Sequence, residues 1–464
     1  MAKAAIEAAG AATRPARKTP PGPRGNPILG MTLDLARDPL RFVLTVPRRY
    51  GDVVRYRFLF HDTYFVNQPD AVKRVLQENH RNYDRQLFDF QVLSNVLGKG
   101  LLTSDGEFWL RQRRLMQPAF HRRRIAAFGT LMTGETEAML ARWQAAARSP
   151  RPLDVAAEMH RLTLRIVAQA LFGTELRAEV AAISRALVIA NRRVTQFFFR
   201  PFPPLSFPTP ENRKFQAAVR DMDAVVDKII AAHRARNAAG DDLVALLMQA
   251  RDPDTGEGMD DRQLRDEVLT VLLAGHETTA NALTWTFYLL SQHPTVFRRL
   301  QAELAATLGG RTPGVADLPH LPYTRMVIEE SLRLYPPAWV ITRRAIHDDE
   351  LGGYHIPAGA TVMFSPYAMH HNARYWDNPE GFDPERFTPE RSTGRPAFAY
   401  FPFGGGPHLC IGNGFAMTEA QLILATVAQR YRLDLVPGHP VVPEPLVTLS
   451  TRYGLLVTLH PAED

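Results

Sequence analysis

Only one of the 464 residues is a cysteine, Cys410. The chain can therefore close no internal disulfide and can build neither a cysteine-rich zinc site nor a cysteine-ligated iron–sulfur cluster. Long apolar runs are missing as well. Residues 1–19 are alanine-rich and then basic, too polar for a signal sequence or a membrane span. With one thiol and no leader, a soluble cytoplasmic protein without a membrane anchor is expected. No Gly-x-Gly-x-x-Gly follows a strand-like segment: Gly404-Gly405-Gly406 lacks the third glycine at the required offset, which leaves no evident flavin or nicotinamide site. Zinc-finger spacing and aromatic RNA-binding signatures are also absent. Nucleic acid is thus not expected as a partner, although Lys and Arg outnumber Asp and Glu by 55 to 48 and the net charge is +7. Much of that excess is local, in Arg14, Arg17 and Lys18 and in a cluster of six, Arg111, Arg113, Arg114, Arg122, Arg123 and Arg124. Such a cluster is commonly a solvated face, and an acidic protein is the better match for it as a partner.

The cysteine stands in Phe403-Gly404-Gly405-Gly406-Pro407-His408-Leu409-Cys410-Ile411-Gly412, just before a stretch that reads as a helix from Asn413 to Tyr431. At the positive end of that helix the thiolate is favoured. A buried structural role is the commoner fate of a lone intracellular thiol. Three consecutive glycines argue against it, because they let the backbone approach something flat and bulky at little steric cost.

Helical periodicity dominates the chain, including Gly106–Gln117, Arg122–Arg142, Asp154–Phe172, Ala178–Arg193, Pro210–Asn237, Asp260–Gln292 and Tyr323–Leu334. Short strands are expected at Val53–Phe58, Thr63–Val66, Val340–Ala345, Thr361–Phe364 and Leu455–Leu459, and the Pro/Phe-rich stretch Phe197–Pro210 reads as a long loop. The fold class is mainly α with a small β portion, and no composition break divides the chain. Asp260–Gln292 is the longest helical stretch, with Asp260 and Asp261 as capping candidates. In its middle lies Ala274-Gly275-His276-Glu277-Thr278-Thr279, a poor recipe for a helix centre. It is either an ordinary helix whose threonines return hydrogen bonds to the preceding turn or a functional break. His276-Glu277 also invites a zinc reading, but the required second histidine at position 280 is Ala280.

The Cys410 segment resembles the haem-binding loop of the cytochrome P450 family, matching at Phe403, Gly404, Gly406, His408, Cys410 and Gly412. The resemblance implies a single haem domain over residues 20–464 behind a flexible tail of residues 1–19, with a long central helix over haem and the cysteine loop beneath it. It implies Cys410 as the axial thiolate ligand of haem iron, and Glu277 and Thr278, beside Ala274, as the acid–alcohol pair that handles O2 and relays protons. Trp109 and Arg113, one turn apart, His408 and Arg343 take the propionates, with neighbouring Arg344 able to substitute for Arg343. Glu330 and Arg333, three apart on one helical face, pair with Arg386 in a structural network. Leu102, Ala338 and Val340 become substrate-pocket residues, all apolar, so a hydrophobic small molecule is the expected substrate; fatty acid, terpene and macrolide are not separated. The activity implied is a haem-thiolate monooxygenase, monomeric, with electrons from a ferredoxin or flavodoxin docking on Arg111–Arg124. Competing readings are a peroxide-driven peroxygenase, a haem-thiolate isomerase or dehydratase, and a non-catalytic haem sensor or electron carrier.

Overall fold

A computed structural model describes residues 18–59, 61–148, 151–173, 177–199, 202–235 and 240–462. Most of the expected tail, residues 1–17, lies outside them. Its last part is held: the Lys18 carbonyl accepts the His355 N–H at 3.0 Å, and the Lys18 ammonium lies 4.6 Å from the Tyr354 ring centre.

The organising element is the central helix, Asp261–Gln292. Asp260 caps it reciprocally. Its carboxylate accepts the Gln263 N–H at 2.7 Å, while Gln263 Oε1 accepts the Asp260 N–H at 3.3 Å, so two otherwise orphaned donors are satisfied. The helix continues unbroken through Gly275-His276-Glu277-Thr278 because it is enclosed by packing partners rather than sustained by propensity. Leu283 and Phe287 on this helix, Leu162 and Ile166 on Val155–Phe172, Leu332 on Pro322–Leu334 and Leu424 on Asn413–Ala428 share one apolar core. Each such buried side chain contributes roughly 1.5–3 kcal/mol. A second core, with Leu171, Phe215, Met222, Val268 and Leu272, joins the first half of the central helix to the helices Arg177–Phe199 and Pro210–Ala235.

The β portion flanks this helical body. Five strands form the largest sheet, in the order Val53–Phe58, His61–Val66, Thr361–Phe364, Ile341–Ala345 and Tyr83–Asp84. His61–Val66 and Thr361–Phe364 run parallel, with Thr63 opposite Thr361, and the other pairings are antiparallel. Successive residues of Ile341–Ala345 therefore point to opposite faces, which separates Arg343 from Arg344.

Several boundaries differ from expectation. The stretch Arg122–Arg142 is two helices, Arg122–Ala127 and Gly129–Ala147, because the Phe128 N–H closes a tight turn onto the Ile125 carbonyl. The helix Arg177–Phe199 runs into the expected loop Phe197–Pro210, of which residues 200–201 are outside the described set. The last helix ends at Ala428, since Tyr431 is already in the strand Tyr431–Leu435.

Candidate functional site

The cysteine loop and the central helix face one cavity of about 1040 Å³. Cys410, Phe403 and Gly404 line it from the loop; Ala274, Glu277 and Thr278 line it from the helix. The loop is shaped by its glycines. A Cβ on Gly406 would lie 1.8 Å from the Leu76 carbonyl oxygen, and one on Gly405 would lie 2.3 Å from the Phe398 ring, so only glycine fits at either position. The Cys410 N–H donates to the Phe403 carbonyl at 3.0 Å and closes the turn. Cys410 is exposed, but its surface opens into the cavity. Burial pushes the thiol up from its ordinary value, against the opposing effects of the Gly412 N–H and Arg113. Desolvation therefore works against the favourable helix end at this position.

Beside the sulfur the structure brings together Trp109, Arg113, Arg343 and His408 and adds Arg85, which sequence reasoning missed. The Trp109 and His408 rings lie 3.8 Å apart. Arg85 and Arg343 are 8% and 6% exposed, and among the described residues neither makes a salt bridge. Burial, with Arg343 nearby, lowers Arg85 to about 9; burial lowers Arg343 to about 10, and Asp105 partly opposes it. Burial together with Arg85 and Arg343 drives His408 down to about 2 and keeps it neutral. Its Nδ1 is buried and has no partner. Asp105, 4.0 Å from His408 Nε2, and Asp89 offset part of this charge. Convergent, desolvated cations short of countercharge are costly until an anion joins them. Together with a thiol facing the same space, they fit a flat group bearing carboxylates, as haem does. Arg344 is engaged elsewhere, donating from Nε to Asp84 Oδ1 at 2.9 Å, so of the two neighbours Arg343 is the one free for this site.

On the helix side, Thr278 Oγ1 donates to the Ala274 carbonyl at 2.6 Å and still lines the cavity, so the ordinary back-bonded threonine and the cavity threonine are one residue. Glu277 is 8% exposed, and burial raises its pKa. Its Oε1 accepts from Asn191 Nδ2 at 2.6 Å and from the Thr448 hydroxyl, and Thr448 accepts from Asn281 Nδ2 at 2.9 Å. Asn191, Thr448 and Asn281 are further residues the sequence did not announce. Burial thus pushes this carboxyl toward its neutral form, while its two donors favour the charged one.

Leu102, Ala338 and Val340 all line the cavity; Leu102, 36% exposed, is on its wall rather than in the core. Glu330, Arg333 and Arg386 come together away from it. Arg333 donates to both Glu330 oxygens at 2.6 and 2.7 Å, and Arg386 Nε donates to Glu330 Oε1 at 3.2 Å. The six-arginine cluster is not a free basic face. Arg111, Arg114 and Arg124 pair with Glu257, Asp254 and Asp241, and Arg113 turns into the cavity. Arg122 and Arg123 remain exposed.

The model of the family described as Cytochrome P450 matches residues 20–457. The chain is 41% identical over 432 residues to "Cyclooctatin synthase" of Streptomyces melanosporofaciens, covering 92% of this chain and 93% of the relative. It is 39% identical to "Cyclooctat-9-en-7-ol 5-monooxygenase" of the same organism, over 90% of each chain. To "Pentalenene oxygenase" of Streptomyces avermitilis it is 34% identical, over 92% of this chain and 94% of that one. Among solved structures, the cytochrome P450DA heme domain superposes with a TM-score of 0.87 at 26% identity, covering 96% of this chain and 98% of that one. Among the described residues no helix is long and apolar enough to cross a membrane.

Proposed function

This chain belongs to the cytochrome P450 family, and from that premise we propose that it is a haem-thiolate monooxygenase acting on an apolar, terpene-like skeleton with O2 and electrons from a separate donor protein. Haem, when bound, supplies oxygen activation and C–H oxidation. The observation that carries the reading is the single cavity shared by Cys410 on one side and by Glu277 and Thr278 on the other. Cys410 would ligate the metal, while Arg85, Arg113, Arg343 and His408 would hold the propionates. Thr278 would orient a proton donor on the opposite side of the cavity, and Glu277 would relay protons to it. A peroxygenase or a haem sensor has no use for that pair.

The substrate class follows from what the cavity offers. Among the described residues its arginines are the three beside the sulfur and Arg344, which pairs with Asp84, so none of these is left to anchor a fatty-acid carboxylate. Leu102, Ala338 and Val340 present only apolar surface. The names of the relatives, with their -ene and -en-ol endings, denote sparsely oxygenated hydrocarbons and support the same choice.

The test is a panel of cyclic hydrocarbons screened for displacement of iron-bound water, followed by turnover of the binders with O2 and a reduced donor. Thr278→Ala should bind haem and substrate as the parent does, while product formed per reduced donor consumed falls by about tenfold or more and peroxide accumulates. An unchanged ratio removes Thr278 from the relay.

The donor is a small acidic protein, a ferredoxin or flavodoxin, that meets the exposed pair Arg122 and Arg123. Reversing both charges should slow reduction by about tenfold at low ionic strength and flatten its salt dependence. An unaltered rate places the donor elsewhere.

A further inference from the structure

One wall of the cavity is the loop from Gly98 to Ser104, which contributes Leu101 and Leu102. Its main chain lies flush against the central helix. A Cβ on Gly98 would come within 2.2 Å of the Asp266 carboxylate, and one on Gly100 within 2.2 Å of the Thr270 hydroxyl. In that position two alternate amides meet two adjacent acids: Lys99 N–H donates to Asp266 Oδ2 at 2.7 Å, and Leu101 N–H donates to Glu267 Oε2 at 2.9 Å. The carbonyls are held from the other side, since those of Leu101 and Leu102 accept from Arg85 Nη1 at 3.0 and 3.2 Å. The hydroxyls of Thr103 and Ser104 close the loop onto the Gly98 and Gly100 carbonyls at 2.7 and 2.8 Å.

The two acids are supported unequally. Asp266 is paired with Arg265 at 2.7 Å, which also reaches Asp223 and the Val96 carbonyl. Glu267 is 1% exposed and its Oε1 has no partner, and burial pushes its pKa to about 8. Neither acid lines the cavity.

We infer that Asp266 and Glu267 are positioning residues for the substrate: by fixing the amides of Lys99 and Leu101 they set how far Leu102 reaches over the cavity, and so which carbon is presented for oxidation. The inference rests on the reading that this cavity takes an apolar substrate beside haem. Such a substrate carries few groups that the cavity's polar side chains can hold, so the shape of the wall orients it. Displacement of a wall by even a fraction of an ångström is then read out as a change of product.

The experiment compares Glu267→Ala, Glu267→Gln and Gly100→Ala in the full-length holoenzyme. Glutamine keeps an acceptor oxygen for Leu101 and should retain the parent product ratio. Alanine at 267 frees the amide, so the peptide spanning Leu97 to Ser104 should exchange its amide hydrogens faster in the substrate-free protein. The ratio of oxidation products should shift by about tenfold, within the range that a misplacement of about 1 Å produces. Gly100→Ala pushes the loop off the Thr270 hydroxyl and the Asp266 main-chain carbonyl without touching either carboxylate, and should shift both readouts in the same direction; it carries the test if Glu267→Ala does not fold. Faster exchange with an unchanged product ratio overturns the inference. So does a glutamine variant that behaves like alanine. A parent enzyme that oxidises no apolar compound overturns the substrate reading and the inference with it, and that failure is recognised because the exchange difference between alanine and glutamine persists.

Discussion

Cys410→Ser should abolish the red-shifted Soret band of the reduced, carbon monoxide-treated holoprotein and remove all oxidation of substrate, while leaving the fold intact. The chain has no second cysteine to substitute as ligand. The loop itself is held by main-chain contacts, the Cys410 N–H to the Phe403 carbonyl and the close approach of Gly406 to Leu76, and neither depends on the sulfur. Serine is nearly isosteric, so the melting curve of the haem-free variant should overlay that of the haem-free parent. The burial that raises the thiol's pKa makes the assignment sharper. Desolvation raises the thiol here, and a cation bound at the sulfur would offset that cost. Survival of the band in the variant would remove Cys410 as the ligand.

What the sequence disclosed and what it withheld divide along contact range. The cap at Asp260, the helix–strand periodicity and the glycine-rich cysteine loop are local, and each was visible from neighbouring residues. The π-helix Arg74–Glu78, the break at Phe128 and the short helix Phe88–Leu97, whose N-cap is Leu87 without a capping side chain, carry no such local signal. The basic cluster misled for the same reason: the partners of Arg111, Arg114 and Arg124 are Glu257, Asp254 and Asp241, more than a hundred positions away. Arg85 gave no signal, because what makes it a site residue is burial beside Arg343 rather than any motif around it. Thr448, in a loop of Pro, Leu and Val, was equally silent, yet its hydroxyl holds the cavity acid.

Contact range also decides how the cysteine loop is supported from a distance. Arg333 donates to the carbonyls of His370, Pro379 and Gly381 as well as to Glu330, and Arg386 donates to that of Asn378. His370 receives the Phe401 N–H on Nε2 at 3.0 Å, two residues before Phe403, while its Nδ1 meets the Arg333 carbonyl at 3.2 Å. Burial and Arg333 hold the His370 pKa well below its ordinary value, so the imidazole stays neutral and can accept that N–H across the physiological range. The path from Glu330 to the cysteine loop is thus a continuous set of hydrogen bonds among fully buried groups.

Glu330→Ala should accordingly be the most destabilising single change in the chain that leaves the cavity untouched. Glu330 accepts from Arg333 twice, from Arg386 and from the Asp383 N–H at 3.0 Å, and it is 0% exposed, as is Arg333. Its removal leaves two buried guanidinium groups without their countercharge, which costs about 3–5 kcal/mol. Against a total stability of about 5–15 kcal/mol, that is enough to unfold a large fraction of molecules on modest warming. Glu330→Gln retains an acceptor oxygen but not the charge, and should fall between alanine and the parent. The measurements are the melting temperature and the fraction of haem retained after gel filtration. Haem loss should track melting across the three proteins, because the same network presents the cysteine loop. A Glu330→Ala protein that melts with the parent would show that backbone acceptors alone satisfy Arg333 and Arg386. One that melts early yet keeps its haem would show that the cysteine loop is held independently of the network.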